Sequence, residues 1–163
     1  VYTNGFLFQE KEGERRLNMD AIAQYPKIEV CDYQNIKNGK DIILENGKTI
    51  ANTELTFEPH RPQSYAYCSD TVYLEDLATE IRGTRVIYHE STFLKINEEL
   101  AAKTMHATAY QAGLVAKNAQ AEALILGHYS SRYPDVNMFK QEAQEVFKNV
   151  FLAEDGKKFV FEN

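Results

Sequence analysis

Three short polar stretches of this chain carry side chains suited to metal and phosphoryl chemistry, and each follows an apolar run. Asp70-Thr71 follows Tyr65-Ala66-Tyr67-Cys68-Ser69. His89-Glu90-Ser91-Thr92 follows Val86-Ile87-Tyr88, and His128-Tyr129-Ser130-Ser131-Arg132-Tyr133 follows Leu124-Ile125-Leu126-Gly127. Carboxylate and imidazole are both ligands that zinc accepts, so Asp70 and His128 are candidate metal ligands. Each also has a plainer reading, preferred when it is taken singly: Asp70 as the N-cap of a helix beginning near Tyr73, His128 as a satisfied histidine at a strand end. Those readings weaken once both must hold together. Glu90 and His106 divide evenly between a surface carboxylate with a helix-start histidine and a working pair. In the pair, the carboxylate fixes the imidazole in tautomer and orientation so that it can donate a proton. The hydroxyls of Ser130 and Ser131 and the guanidinium of Arg132 suit phosphate oxygens, with a solvated loop as the equal alternative. His60 and His89 have no partner that the sequence identifies and are read as structural.

The elements that must position these groups come from hydrophobic pattern. Gly5–Gln9 alternates as a strand, and Asn46-Gly47 after Ile42–Leu44 signals a hairpin. Leu17–Lys40 is weakly periodic, a short helix followed by an extended arm. From Ser64 onward strands and helices alternate: strands at 64–68, 85–88, 123–126, 150–153 and 158–161, helices at 74–81, 96–103, 106–119 and 138–147. This is an α/β layered pattern, and in open α/β sheets the carboxyl ends of the strands are where ligands bind. All three polar stretches fall there.

Composition narrows the rest. A net charge of −6 over 163 residues argues against binding nucleic acid through a general basic coat. Lys11, Arg15 and Arg16 form a small basic cluster that reads as a solvated turn. Cys31 and Cys68 have no metal or redox spacing and are read as buried free thiols suited to a reducing cytoplasm. No apolar run approaches the roughly 20 residues of a membrane span. The chain lacks an initiator Met and opens on a strand-like alternation, neither a signal nor a transit peptide; the start reads as truncated.

Taken in order, these segments resemble ribonuclease Z, the metallo-β-lactamase-fold enzyme that removes the 3′ trailer from precursor tRNA. The resemblance rests on YAYCSDT (65–71), HESTF (89–93, for the family's HEATF), HAT (106–108, for HST), GHYSSRY (127–133) and LAEDG (152–156). TNGFLFQEK at the start resembles the segment after one of the family's metal histidines. The order and spacing are those of the family's second half. The resemblance therefore implies the C-terminal half of a metallo-β-lactamase αββα sandwich over residues 1–163, with an arm-like insert at about 10–60 and the site-bearing part at 64–163. It further implies that Asp70 bridges two zinc ions, that His128 is a terminal ligand of one, and that His106 protonates the leaving 3′-oxygen with Glu90 orienting it. Ser130, Ser131 and Arg132 would lie beside the cleaved phosphate or its neighbours. A homodimer in the cytoplasm acting on precursor tRNA is the implied setting, with no membrane partner.

Two departures qualify those expectations. The family's HxHxDH motif, source of several ligands and of the water-activating Asp, does not occur in this sequence. Zinc sites normally use three or four protein ligands, so the chain alone is expected to hold zinc weakly or not at all and to be inactive. The family's tRNA-clamping arm often carries a Gly-Pro-rich stretch; YPKIEVC (25–31) stands in its place, so gripping by the arm would take another form. Two rivals stay open: a phosphodiesterase of the same superfamily acting on small diesters, and a non-catalytic binding or scaffold half.

Overall fold

The computed structural model describes residues 3–161, which divide into two compact units. The unit formed by the N-terminal strand and residues 63–161 is built on a five-stranded sheet. Its strands are β1 (Phe6–Gln9), β2 (Ser64–Cys68), β3 (Val86–Glu90), β4 (Ala123–Gly127) and β5 (Val150–Leu152), hydrogen-bonded in that order. β1 runs antiparallel to β2, pairing Phe6 with Tyr67 and Phe8 with Tyr65; β2 to β5 are parallel. Parallel strands need crossovers, here containing helices α1 (Leu77–Glu80), α2 (Glu98–Lys103), α3 (Ala109–Asn118) and α4 (Asn137–Gln144).

Side chains alternate between the faces of each strand. Ala66, Cys68, Ile87, Leu124 and Leu126 join helix residues such as Ala112, Val115, Ala116, Phe139 and Ala143 in one buried core. Small residues let the helices approach closely. A Cβ on Gly113 would lie 2.7 Å from Val146 Cγ2 and 2.9 Å from the Ala143 carbonyl oxygen, so this contact between α3 and the α4 segment depends on glycine. The other sheet face is aromatic: Tyr65, Tyr88, Phe151, Phe159 and Phe161 pack around Val86, Ala123 and Ile125. Tyr67 and Tyr88 stack at 4.8 Å, and burial pushes the Tyr88 phenol up to about 12.

His89 points into this unit's interior and is fully buried. Its Nδ1 meets the Glu90 carbonyl oxygen at 2.7 Å, whereas Nε2 has no hydrogen-bond partner. Burial holds the ring below the ordinary 6.5, with the Glu90 carbonyl and carboxylate opposing the shift. The sign follows from linkage: below about pH 6.5 the unfolded ring takes a proton that the folded ring resists. Stability should therefore fall as pH drops through that range, by at most about 1.4 kcal/mol per pH unit. His89→Asn, which keeps an N–H for the carbonyl, should flatten the profile in urea titrations at several pH values; an unchanged slope would show that His89 is not its source.

The second unit, residues 10–62, has its own small core of Ile22, Ile28, Ile36, Ile50 and Leu55. Short helices at Met19–Ile22, Tyr33–Lys37 and Asn52–Leu55 combine with two-stranded pairs, Arg16–Leu17 with Thr56–Phe57 and Ile42–Ile43 with Thr49–Ile50. Several of its cations face acids: Arg15 meets Glu58 at 2.7 Å, Lys27 pairs with Glu45, and Lys37 lies 3.8 Å from Glu14.

Several sequence expectations are corrected here. Leu17–Lys40 is not a helix with an extended arm, because a 3-10 turn at Val30–Asp32 runs directly into the helix 33–37 around buried Ile36. The stretch 158–161 forms no strand; Phe159 and Phe161 instead set their rings edge-on to Phe151. Cys31 is exposed on a turn, while Cys68 is buried as expected, its thiol pushed up to about 11 by burial.

Candidate metal and proton-donor site

β2, β3 and β4 end side by side, and their carboxyl ends carry the three polar stretches. Asp70 lies two residues beyond β2 with φ 48°, and His128 one residue beyond β4 with φ 59°. Left-handed backbone is uncommon for residues other than glycine, though Asp and His adopt it more readily than most, and it concentrates at functional sites. Gly127 makes room at the end of β4: a Cβ there would lie 2.7 Å from Tyr88 Cε2. Asp70 is not a helix cap. The following helix begins only at Leu77, with Asp76 at its N-cap, and the Asp70 carboxylate turns to His128, its Oδ1 3.2 Å from Nε2.

His106 lies ahead of α3 rather than inside it. Thr108 caps that helix through a reciprocal box with Gln111, while the His106 backbone N–H donates to the Ala101 carbonyl at 2.9 Å. The ring is thereby held between the end of α2 and the start of α3. Glu90, placed by the sequence after a strand, is the last residue of β3 and fully buried. Its Oε1 accepts from His106 Nδ1 at 2.9 Å and from the Ala107 N–H at 3.0 Å. Its Oε2 accepts from the Thr92 N–H at 2.8 Å and the Thr92 hydroxyl at 2.9 Å. All four lone-pair positions of the carboxylate are met, which is what lets it be buried.

The His106 and His128 rings lie 5.3 Å apart, and donor atoms of Asp70, His106 and His128 fall within 4.8 Å of one another. One carboxylate and two imidazoles are a donor set that zinc takes. Two ligand atoms about 2.0–2.1 Å from one ion at the tetrahedral angle sit roughly 3.3 Å apart, and the Asp70–His128 separation meets that requirement. The donor set fits a metal ion. His106 has two competing uses, since a nitrogen that binds metal cannot also deliver a proton.

The Ser130–Arg132 loop closes over the same edge. The Ser130 N–H donates to the Thr92 carbonyl at 3.1 Å, and the Arg132 N–H to Ser130 Oγ at 3.3 Å. Arg132 sets its guanidinium 5.6 Å from the centre of the Phe93 ring, itself 6.2 Å from the His106 ring; Ser131 is exposed. Two contributors escaped the sequence reading. Thr92 touches Glu90, His106 and His128, and its place in HESTF was the only signal. Tyr133 pins the loop: its hydroxyl accepts from the Leu94 N–H at 3.1 Å and donates to Asn97 Oδ1 at 2.7 Å.

No protein-family model matches the chain. Among solved structures, it is similar to the metallo-β-lactamase fold protein YhfI from Bacillus subtilis, with TM-score 0.56, 25% identity, and coverage of 61% of this chain and 40% of that one. A long form RNase Z from yeast aligns with TM-score 0.52 and 28% identity, covering 59% of this chain and 13% of the yeast chain. The fold is that of the metallo-β-lactamases. Curated relatives extend the likeness along the whole sequence. Ribonuclease Z of Phocaeicola vulgatus is 40% identical over 163 residues, all of this chain and 52% of that protein. Ribonuclease Z of Cytophaga hutchinsonii is 42% identical over 160 residues, 98% of this chain and 50% of that protein. The chain spans about half the length of the ribonuclease Z proteins it matches. Among the described residues, no helix is long and apolar enough to cross a membrane.

Proposed function

We propose that this chain carries the proton-donating part, and some of the ligands, of a zinc-dependent endoribonuclease that removes the 3′ trailer of precursor tRNA. The observation that carries the reading is the meeting of partly exposed His106, held by a saturated and buried Glu90, with the Asp70–His128 pair at one sheet edge. Phosphodiester hydrolysis needs both, because a 3′-oxygen leaves poorly unless protonated. When bound, two zinc ions supply positive charge for the phosphate oxygens and acidify the attacking water. The water oxygen joins phosphorus, the bond from phosphorus to the 3′-oxygen breaks, and His106 delivers its proton to that oxygen. Glu90 holds Nδ1–H, so Nε2 is the delivering atom. The water's own proton passes to a group outside this set, in the HxHxDH segment that the resemblance implies. Arg132 with Ser130 and Ser131 would hold the phosphate or an adjacent nucleotide. That the relatives are named ribonucleases supports RNA as substrate; the trailer of tRNA, a homodimer and the cytoplasm are part of the same proposal.

The test is cleavage of a trailer-bearing precursor tRNA by the protein expressed from its full reading frame. Cutting beside the discriminator base, abolished together with zinc content in Asp70→Ala, is the expected result. Hydrolysis of a chromogenic diester with no action on the tRNA would overturn it in favour of a small-diester phosphodiesterase. A zinc-loaded protein that cleaves neither would leave only a binding role.

A further inference from the structure

We propose that Thr92 is a positioning residue whose hydroxyl bridges Glu90 and His128, fixing the neutral His128 ring with its proton on Nδ1 and a bare Nε2 facing Asp70. The inference deepens the proposed function and rests on its reading of Asp70 and His128 as metal ligands.

Glu90 is fully buried, and its four acceptor positions are met only if the Thr92 hydroxyl donates to Oε2. That hydroxyl has a single proton. Thr92 Oγ1 also lies 2.8 Å from His128 Nδ1, and with its own proton committed it can only accept there. The hydrogen of that contact must then sit on Nδ1. A neutral imidazole carries one N–H, so Nε2, 3.2 Å from Asp70 Oδ1, is left with its lone pair. The opposite tautomer would place Nε2–H against Asp70, where both groups are about half exposed and water competes. It would also draw the Thr92 proton towards His128 and leave a buried carboxylate one donor short, the dearer of the two losses. His106 Nδ1 lies 3.2 Å from the same hydroxyl but 2.9 Å from Glu90, so its hydrogen belongs to the carboxylate. Glu90 thus sets the His106 ring directly and Thr92 sets the His128 ring, each with Nε2 outward. Outer-shell partners of this kind fix the tautomer of metal-binding histidines.

The test reads ring nitrogens directly in the 163-residue chain, by long-range proton–nitrogen correlation at a pH where the rings are neutral. Wild type should show His128 protonated at Nδ1. Thr92→Val should lose that preference and Thr92→Ser restore it, with amide spectra reporting that each variant is folded. Zinc affinity of the full-length protein, measured by competition with a chromophoric chelator, should fall about 10–100-fold in Thr92→Val and recover in Thr92→Ser. Protonation at Nε2 in wild type, or an unchanged tautomer in Thr92→Val, would overturn the proposal; the wild-type spectrum decides even if the valine variant does not fold. Because the tautomer is read without zinc, a full-length protein that binds no zinc counts against the metal reading and not against the bridge.

Discussion

His106→Ala in the full-length protein should slow trailer cleavage by about 10²–10⁴-fold, the usual worth of a positioned general acid, with zinc content unchanged. Asp70→Ala should instead release metal. The contrast separates the two uses open to His106, which lies within ligand distance of Asp70 and His128 yet is bound through Nδ1 to Glu90. His106→Asn sharpens the test, since its amide can still donate to Glu90 but carries no labile proton for a leaving oxygen. It should match alanine in rate while keeping more of the stability. Loss of zinc from either variant, measured by elemental analysis, would make His106 a ligand and remove it from the acid role.

What could be read from sequence follows the range of the interactions involved. β3 and β4 were legible because parallel strands buried on both faces are continuous apolar runs, as Val86-Ile87 and Leu124-Ile125-Leu126 are. Their ends were not. His89 and Glu90 extend β3 beyond the apolar run, since neighbouring strands supply the partners that a polar residue there would otherwise lack. The start of α3 was put at His106 although Thr108 and Gln111 hold a capping-box spacing; Ala-rich helical pattern outweighed it. Asp70 looked like a cap because Asp favours that position, but φ 48° is incompatible with an ordinary N-cap. Phe159 and Phe161 alternate as in a strand and bury their rings without joining the ladder.

The site divides along the same line. Asp70, Glu90, His106 and His128 stand out by residue type, and their places at strand ends made a shared edge legible. Thr92 did not stand out. Its contact with His128 spans 36 residues of sequence, and a threonine between a strand and a helix has several commoner uses. Geometry also chose between alternatives that sequence left even: the carboxylate of Glu90 is inside, saturated, and not on the surface.

Glu90→Ala should be the most destabilising single change at this edge, costing about 3 kcal/mol or more in urea unfolding of the 163-residue chain, since each buried donor left without its acceptor costs about 1–3 kcal/mol. Domains of this kind are stable by about 5–15 kcal/mol, so the loss is a large share. The cost comes from what remains. His106 Nδ1, the Ala107 and Thr92 amides and the Thr92 hydroxyl lose their acceptor together, in a place with little water to replace it. Glu90→Leu refills the volume yet leaves the same donors unmet, so it should be nearly as damaging; that outcome would separate lost hydrogen bonds from a cavity. Leucine recovering most of the stability would mean that packing, and not the carboxylate, holds this edge together. Adding Thr92→Val to Glu90→Leu removes one stranded hydroxyl. The pair should therefore cost less than the sum of its single changes, the non-additivity expected of residues sharing one network.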